Sequence, residues 1–131
     1  MIIGLGIDLA QVARISAVRQ RHGDRFLDRT LTAGERAYCL EHRDPDERIA
    51  ARWAAKEAAG KALGTGIADG VHLTDIAVVA DANGAPHLEL TGGALARATA
   101  LGADRWHVSL SHAGGFATAV VILEKTSHAH E

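Results

Sequence analysis

The chain has 131 residues, 47% of them hydrophobic and 23% charged, with a net charge of -2. That length fits one domain burying roughly two-thirds of its unfolded surface, and the near-neutral balance is not that of a nucleic-acid binder, which is usually strongly basic. No apolar run is long enough to cross a membrane, the opening MIIGLGIDLAQ has no basic leader and does not read as a signal peptide, and a lone cysteine, Cys39, excludes an intramolecular disulfide or a cysteine-rich zinc site and points to a reduced, cytoplasmic setting.

The alternation over residues 2–9 predicts a buried strand. Ile3, Leu5 and Ile7 share one face; Ile2, Gly4, Gly6 and Asp8 share the other. Glycines inside a strand mark close approach of a ligand or another backbone, and here they leave open space on the face of Asp8. Asp8 also stands three residues before Gln11. It therefore reads equally well as the cap of a capping-box-like turn and as a ligand-holding carboxylate.

A helix follows over 10–21, with Val12, Ile15 and Val18 turned to the core. Arg14, Arg21 and Arg25, joined by Arg19 and Arg29, form a basic cluster on or near its exposed side. Such a cluster is either a solvated face or a docking surface for an acidic partner, because complementary charge speeds and orients encounters. Phe26 and Leu27 anchor a short helix over 24–30. Thr32-Ala33-Gly34-Glu35 is a capping box and opens a helix to about His42, in which Tyr38 and Leu40 are expected to pack inward and Cys39 to fill the core. Asp44-Pro45 starts a long helix with proline at its first position.

That helix carries the most informative stretch, RWAAKEAAGKALGTG at 52–66. Its alanines favour helix, and Gly64-Thr65-Gly66 stops it. Trp53, Glu57, Gly60 and Lys61 lie at offsets 0, 4, 7 and 8, on one helical face. An acid and a base one turn apart form either a surface ion pair, contributing about 0.2–0.5 kcal/mol, or, beside a glycine loop, a place where a metal ion and a phosphate are held together.

Residues 67–73 read as loop and 75–80 as a strand. Asn83-Gly84 makes a hairpin turn into a return strand over 86–90. Thr91 is expected to cap a helix over 92–101. Residues 106–112 alternate, with His107, Ser109 and Ser111 on one face and Trp106, Val108, Leu110 and His112 on the other. Gly114-Gly115 turns the chain into the continuous apolar run 116–123, which reads as a central strand. The expected organisation is one domain over 1–124 and a polar, flexible tail over 125–131 whose two histidines lie in solvent. The element order makes this an α+β protein, a mainly antiparallel sheet with a long helix and several shorter helices packed on it.

GIDLAQVARI near the start, RWAAKEAAGKALGTGI in the middle and HVSLSHAGGFATAVVI near the end, in that order, resemble the holo-acyl-carrier-protein synthases, the small bacterial type of 4′-phosphopantetheinyl transferase. The resemblance covers the chain except its tail. It implies the fold of that family and transfer of phosphopantetheine from coenzyme A to a serine of apo-acyl carrier protein, with release of adenosine 3′,5′-bisphosphate, in fatty acid or polyketide biosynthesis. It also implies a cytoplasmic homotrimer with each site between neighbouring subunits. By the same resemblance Asp8 and Glu57 are Mg²⁺ ligands, and Glu57 and Lys61 are catalytic. Lys61, Gly64, Thr65 and Gly66 approach the phosphates of coenzyme A, while Arg52 and His107 lie near its nucleotide and 3′-phosphate. Arg14, Arg21 and Arg25 dock the carrier protein. The physics is consistent with this: two carboxylates about 4 Å apart repel by about 4 kcal/mol at an effective dielectric of 20, which a divalent cation removes. The rival reading is a module that binds coenzyme A or a carrier protein without turnover.

Overall fold

The computed structural model describes residues 1–126. Strand β1 (Ile2–Gln11) leads into helices α1 (Val12–His22), α2 (Asp24–Thr30), α3 (Ala33–Leu40) and α4 (Pro45–Leu63). A single 3₁₀ turn (Leu73–Asp75) precedes the hairpin β2 (Ile76–Ala80) and β3 (Pro86–Leu90), followed by α5 (Gly92–Leu101), β4 (Arg105–Ala113) and β5 (Phe116–Glu124). All pairings are antiparallel. The fold is α+β as expected, but the strands divide into two sheets, β1-β5-β4 and β2-β3. The two are bridged by a side chain, the indole N–H of Trp106 donating to the Leu88 carbonyl at 3.0 Å.

The apolar run 116–123 is indeed the central strand, flanked by β1 and β4. Helix α4 packs on the inner face of this sheet and is the middle of the core: Ile49, Ala50, Ala54, Ala55 and Ala58 are fully buried. Its small side chains let backbones approach closely. The nearest partner is β1, where a Cβ on Gly6 would fall 1.8 Å from the Ala58 carbonyl oxygen and one on Gly4 would fall 2.1 Å from that of Ala62. The space beside Asp8 anticipated from the two glycines is thus taken up by the helix backbone.

Several expectations are corrected. Strand β1 is not buried on both faces: Leu5, Ile7 and Leu9 are each more than 60% exposed, because α4 covers only the glycine face. The strand runs on to Gln11, so α1 begins at Val12 rather than residue 10, and Asp8 caps no helix. Helix α3 stops at Leu40, and both Tyr38 and Leu40 are exposed. Tyr38 lies against the Arg52 guanidinium, 4.5 Å from ring centroid to Cζ, a cation–π contact that does not need burial. Thr91 occupies the position before α5, but its hydroxyl donates to the Asp75 carbonyl and not to the helix. The capping box at Thr32 and Glu35 forms as read, and Cys39 is buried. Of the tail, Lys125 donates its amide to the Met1 carbonyl and Thr126 donates to Asp104; the two tail histidines lie outside the described residues.

Candidate active site

Asp8 is placed by the pleat of β1, whose inner residues Gly4, Gly6, Asp8 and Ala10 turn toward α4. Its main chain is fixed on the other side by the Thr118 hydroxyl, which donates to the Asp8 carbonyl at 2.8 Å. Lys61, in the last turn of α4, reaches across: its ammonium donates to the Asp8 carboxylate at 3.2 Å and to the Ile7 carbonyl at 2.9 Å. Glu57 stands one turn back on the same face. Burial raises its carboxyl above the usual 4.5, the negative charge of Asp8 raises it further, and Lys61 pulls it back down. Asp8, Glu57 and Lys61 therefore form one electrostatic cluster, at an open cleft of about 470 Å³ lined by Asp8, Lys61 and Thr118.

The glycine loop closes the C-terminal end of this cluster. Gly64 adopts φ 79°, and the amides of Thr65 and Gly66 donate to the Gly60 carbonyl. The loop folds tightly over the helix, so that a Cβ on Gly60 would meet the Gly66 backbone at 2.8 Å. These amides are occupied by the helix end.

Arg52 and His107 do not join the cluster within one chain. Arg52 precedes Lys61 by nine residues, which is half a turn away in azimuth and about 13.5 Å along the axis at 1.5 Å per residue. It is 6% exposed and borders a cavity of about 500 Å³ shared with Tyr38 and Val79. His107 lies on the sheet's outer face, opposite Asp8, where its imidazole contacts Glu124 at 3.0 Å. Ser109 and Ser111 share that outer face.

Arg14 and Arg21 are exposed seven residues apart on α1, hence on one side of it. Arg25 is exposed on α2. Two apolar clefts, of about 350 and 390 Å³, meet at Val18, Phe26 and Trp53; Arg14 borders the first and Arg25 the second. Arg19, grouped with these cations on sequence grounds, is instead paired to Asp46 at 2.6 Å.

Sequence reading passed over two residues. Lys56 is fully buried against Glu35, and nothing in its spacing distinguishes it from a surface lysine. Arg48 sits one turn before Arg52, and a repeated cation at i,i+4, unfavourable in an isolated helix, was the available signal.

Among the described residues no cluster of three or more His, Cys, Asp or Glu assembles. The available set is the two-carboxylate pair Asp8 and Glu57, with an adjacent ammonium. A hard cation that retains waters and takes its remaining oxygens from a substrate phosphate suits two carboxylates.

A long helix packed on a three-stranded antiparallel sheet brings a carboxylate from each element to one lysine. The model of the 4′-phosphopantetheinyl transferase superfamily matches residues 4–121, and the chain belongs to that family. A holo-[acyl-carrier-protein] synthase of Solidesulfovibrio magneticus is 55% identical over 124 residues, 95% of this chain and 99% of the relative. The crystal structure of the synthase from Neisseria meningitidis matches with a TM-score of 0.87 and 34% identity, covering 95% of this chain and 100% of that one. The Helicobacter pylori synthase, solved in complex with coenzyme A, matches with a TM-score of 0.82 and 32% identity, covering 92% and 99%. These matches set the chain among the holo-acyl-carrier-protein synthases, which are transferases.

Proposed function

We propose that the chain transfers 4′-phosphopantetheine from coenzyme A to a serine of apo-acyl carrier protein with Mg²⁺ as the required metal, releasing adenosine 3′,5′-bisphosphate, in the cytoplasm and in service of fatty acid synthesis. The observation that carries this reading is the meeting of Asp8, Glu57 and Lys61 at an open cleft.

Asp8 and Glu57 are the residues that would hold the metal, and the fit is electrostatic. Asp8 opposes the ionisation of Glu57, so a cation between them removes an existing repulsion. When bound, the metal supplies neutralisation of charge on the diphosphate and its leaving group. Lys61, 55% exposed, exchanges its contact with Asp8 for a phosphate oxygen and provides a second positive charge. Gly64, Thr65 and Gly66 wall the diphosphate, since a loop without bulky side chains admits close approach. The nucleophile is the carrier's own serine. Glu57 and a water held at the same site are the two candidates to accept the serine proton.

The active unit is a homotrimer with sites between subunits. One chain leaves Leu5, Ile7 and Leu9 exposed on the outer face of the sheet, next to Val120 and Ile122, a contiguous apolar surface of the kind that marks an interface. Arg52 and His107 are separated from the Asp8 cluster in one chain, and a neighbouring subunit is the means of bringing them to the nucleotide. Arg14, Arg21 and Arg25 receive the acidic carrier, with the apolar clefts beside Trp53 as its anchor.

The test is the intact mass of an apo-acyl carrier protein incubated with the protein, coenzyme A and Mg²⁺. A gain of one phosphopantetheine that EDTA prevents and the substitution Asp8→Asn abolishes is expected. Transfer that survives EDTA, or full activity in Asp8→Asn, overturns the metal assignment. No transfer to any of several carriers, together with tight coenzyme A binding, supports the non-catalytic binding module instead.

A further inference from the structure

Helix α5 lies in the link between the β2–β3 hairpin and β4 and has no part in the reaction proposed above. It nevertheless meets the glycine loop and the chain that leaves it. At the start of α5, Gly93 rests on main chain beyond the loop: a Cβ there would fall 1.9 Å from the Gly70 carbonyl oxygen. One turn further along α5, Arg97 reaches the beginning of the loop. Its Nε–H donates to the Leu63 carbonyl at 2.9 Å. Its Nη2 lies 3.5 Å from where a Cβ on Gly64 would stand.

Leu63 is the last residue of α4 and is only 1% exposed. Its carbonyl is among those a helix leaves without a partner of its own. Loop amides satisfy the carbonyls of Gly60 and Lys61, and Arg97 satisfies that of Leu63. Arg97 is half-buried and forms no salt bridge among the described residues. A helix C-terminus is the negative end of the helix dipole, an unfavourable neighbour for a diphosphate. Two cations stand at this one. Lys61 is on the Asp8 side, where it exchanges partners, and Arg97 is on the Gly64 side, tied in place by its hydrogen bond.

We propose that Arg97 is a positioning residue for coenzyme A: it masks the carbonyl end of α4 and pins the Gly64-Thr65-Gly66 loop, so that the diphosphate is admitted beside Lys61. This rests on the transferase reading above and adds a residue from an element which that reading does not use. Arg97 acts through the loop and the helix end, so its effect falls on coenzyme A binding rather than on the chemical step.

The experiment is steady-state transfer to an apo-acyl carrier protein at saturating Mg²⁺, with coenzyme A and the carrier varied separately. Wild type, Arg97→Met and Arg97→Lys are compared. Arg97→Met is expected to raise KM for coenzyme A by about fivefold or more, the scale of a cation at a partly buried helix C-terminus. Its kcat and its KM for the carrier are expected to stay within about twofold, the signature of lost ground-state binding. Arg97→Lys is expected to recover part of the loss, because the ammonium keeps the charge. An unchanged KM for coenzyme A in Arg97→Met overturns the proposal. So does a fall in kcat alone or a parallel rise in both KM values, either of which assigns Arg97 to general stability. Arg97→Lys no better than Arg97→Met overturns the masking of the helix end. All of these leave the transferase reading intact, whereas absence of transfer by wild type overturns that reading itself.

Discussion

The Lys56 ammonium lies 2.6 Å from the Glu35 carboxylate, and neither side chain is more than 1% exposed. The same ammonium donates to the carbonyls of Leu73, at 2.9 Å, and Ile76. Glu35 accepts in turn from the amides of Thr32 and Val78. One buried pair therefore joins α3, α4, the 3₁₀ turn and β2. Burial lowers the proton affinity of Lys56 and Glu35 restores part of it, so the pair persists because its donors and acceptors are nearly all used. Lys56→Met leaves Glu35 charged and buried without its partner. A loss of about 3–5 kcal/mol is expected, read as the shift in urea midpoint, and a loss below 1 kcal/mol contradicts this account.

Gly6 positions Asp8 two residues away. A Cβ there would overlap the Ala58 carbonyl, and backbone cannot move aside as a flexible side chain does. Gly6→Ala is expected to cost at least the 1–3 kcal/mol or so of ordinary overpacking and to weaken Mg²⁺ binding by displacing β1 from α4. Chemical denaturation and metal titration of the same variant check both effects.

The raised carboxyl of Glu57 gives stability a defined pH dependence. The folded chain holds this proton more tightly than the unfolded chain, whose value is the usual 4.5. The contribution is thus fully present below about pH 4.5 and is lost as pH rises through the raised folded value. Relative to Glu57→Gln, metal-free wild type is expected to lose melting temperature over that window. Asp8→Asn removes one cause of the shift and narrows the window. A wild-type stability that rises relative to Glu57→Gln refutes the sign.

The exposed face of β1 bears on assembly. Ile7→Asp introduces a charge into the apolar surface of Leu5, Ile7, Leu9, Val120 and Ile122. Light scattering is expected to show trimer in wild type and monomer in the variant. An unchanged mass rules this face out as the interface.

Reversing charge at Arg14 and Arg21 together is expected to raise KM for the carrier protein by roughly tenfold or more, because it sets acid against acid, and like charges juxtaposed at an interface cost several kcal/mol. Coenzyme A affinity is expected to stay within twofold or so, since neither residue lies at the Asp8 cleft. Parallel loss of both contradicts docking.

What the sequence made legible follows from local rules. The Thr32–Glu35 capping box, the proline start of α4, the glycine stop after it and the apolar run of β5 each depend on a few neighbouring residues, and each formed. The exposure of Leu5 and Ile7 was not legible, because an apolar side chain looks the same whether α4 or another subunit covers it. Lys56 was not legible either. Alanines surround α4 on nearly every side, so hydrophobic periodicity names no buried face, and a lysine there reads as exposed. Within the candidate site, Glu57 and Lys61 followed from helical spacing, whereas Asp8 had to be brought 53 residues through space, which only the resemblance suggested. Arg52 and His107 were grouped with them by motif; the half-turn offset and the opposite sheet face show that one chain alone does not unite them.

The central position of β5 also constrains how the chain comes to work. Asp8 belongs to the earliest strand, but its partner in the ladder is Ala119, near the far end of the chain. Contacts of such long sequence separation form late, because a large loop must close before they give any return. During synthesis α4 is complete well before β5 emerges, so Glu57 and Lys61 can be helical while β1 has no ladder to lie in. The ladder that flanks Asp8 is complete only when the last strand inserts between the other two. A nascent or truncated chain therefore carries all three members of the charge cluster but lacks the strand that holds β1 in its ladder.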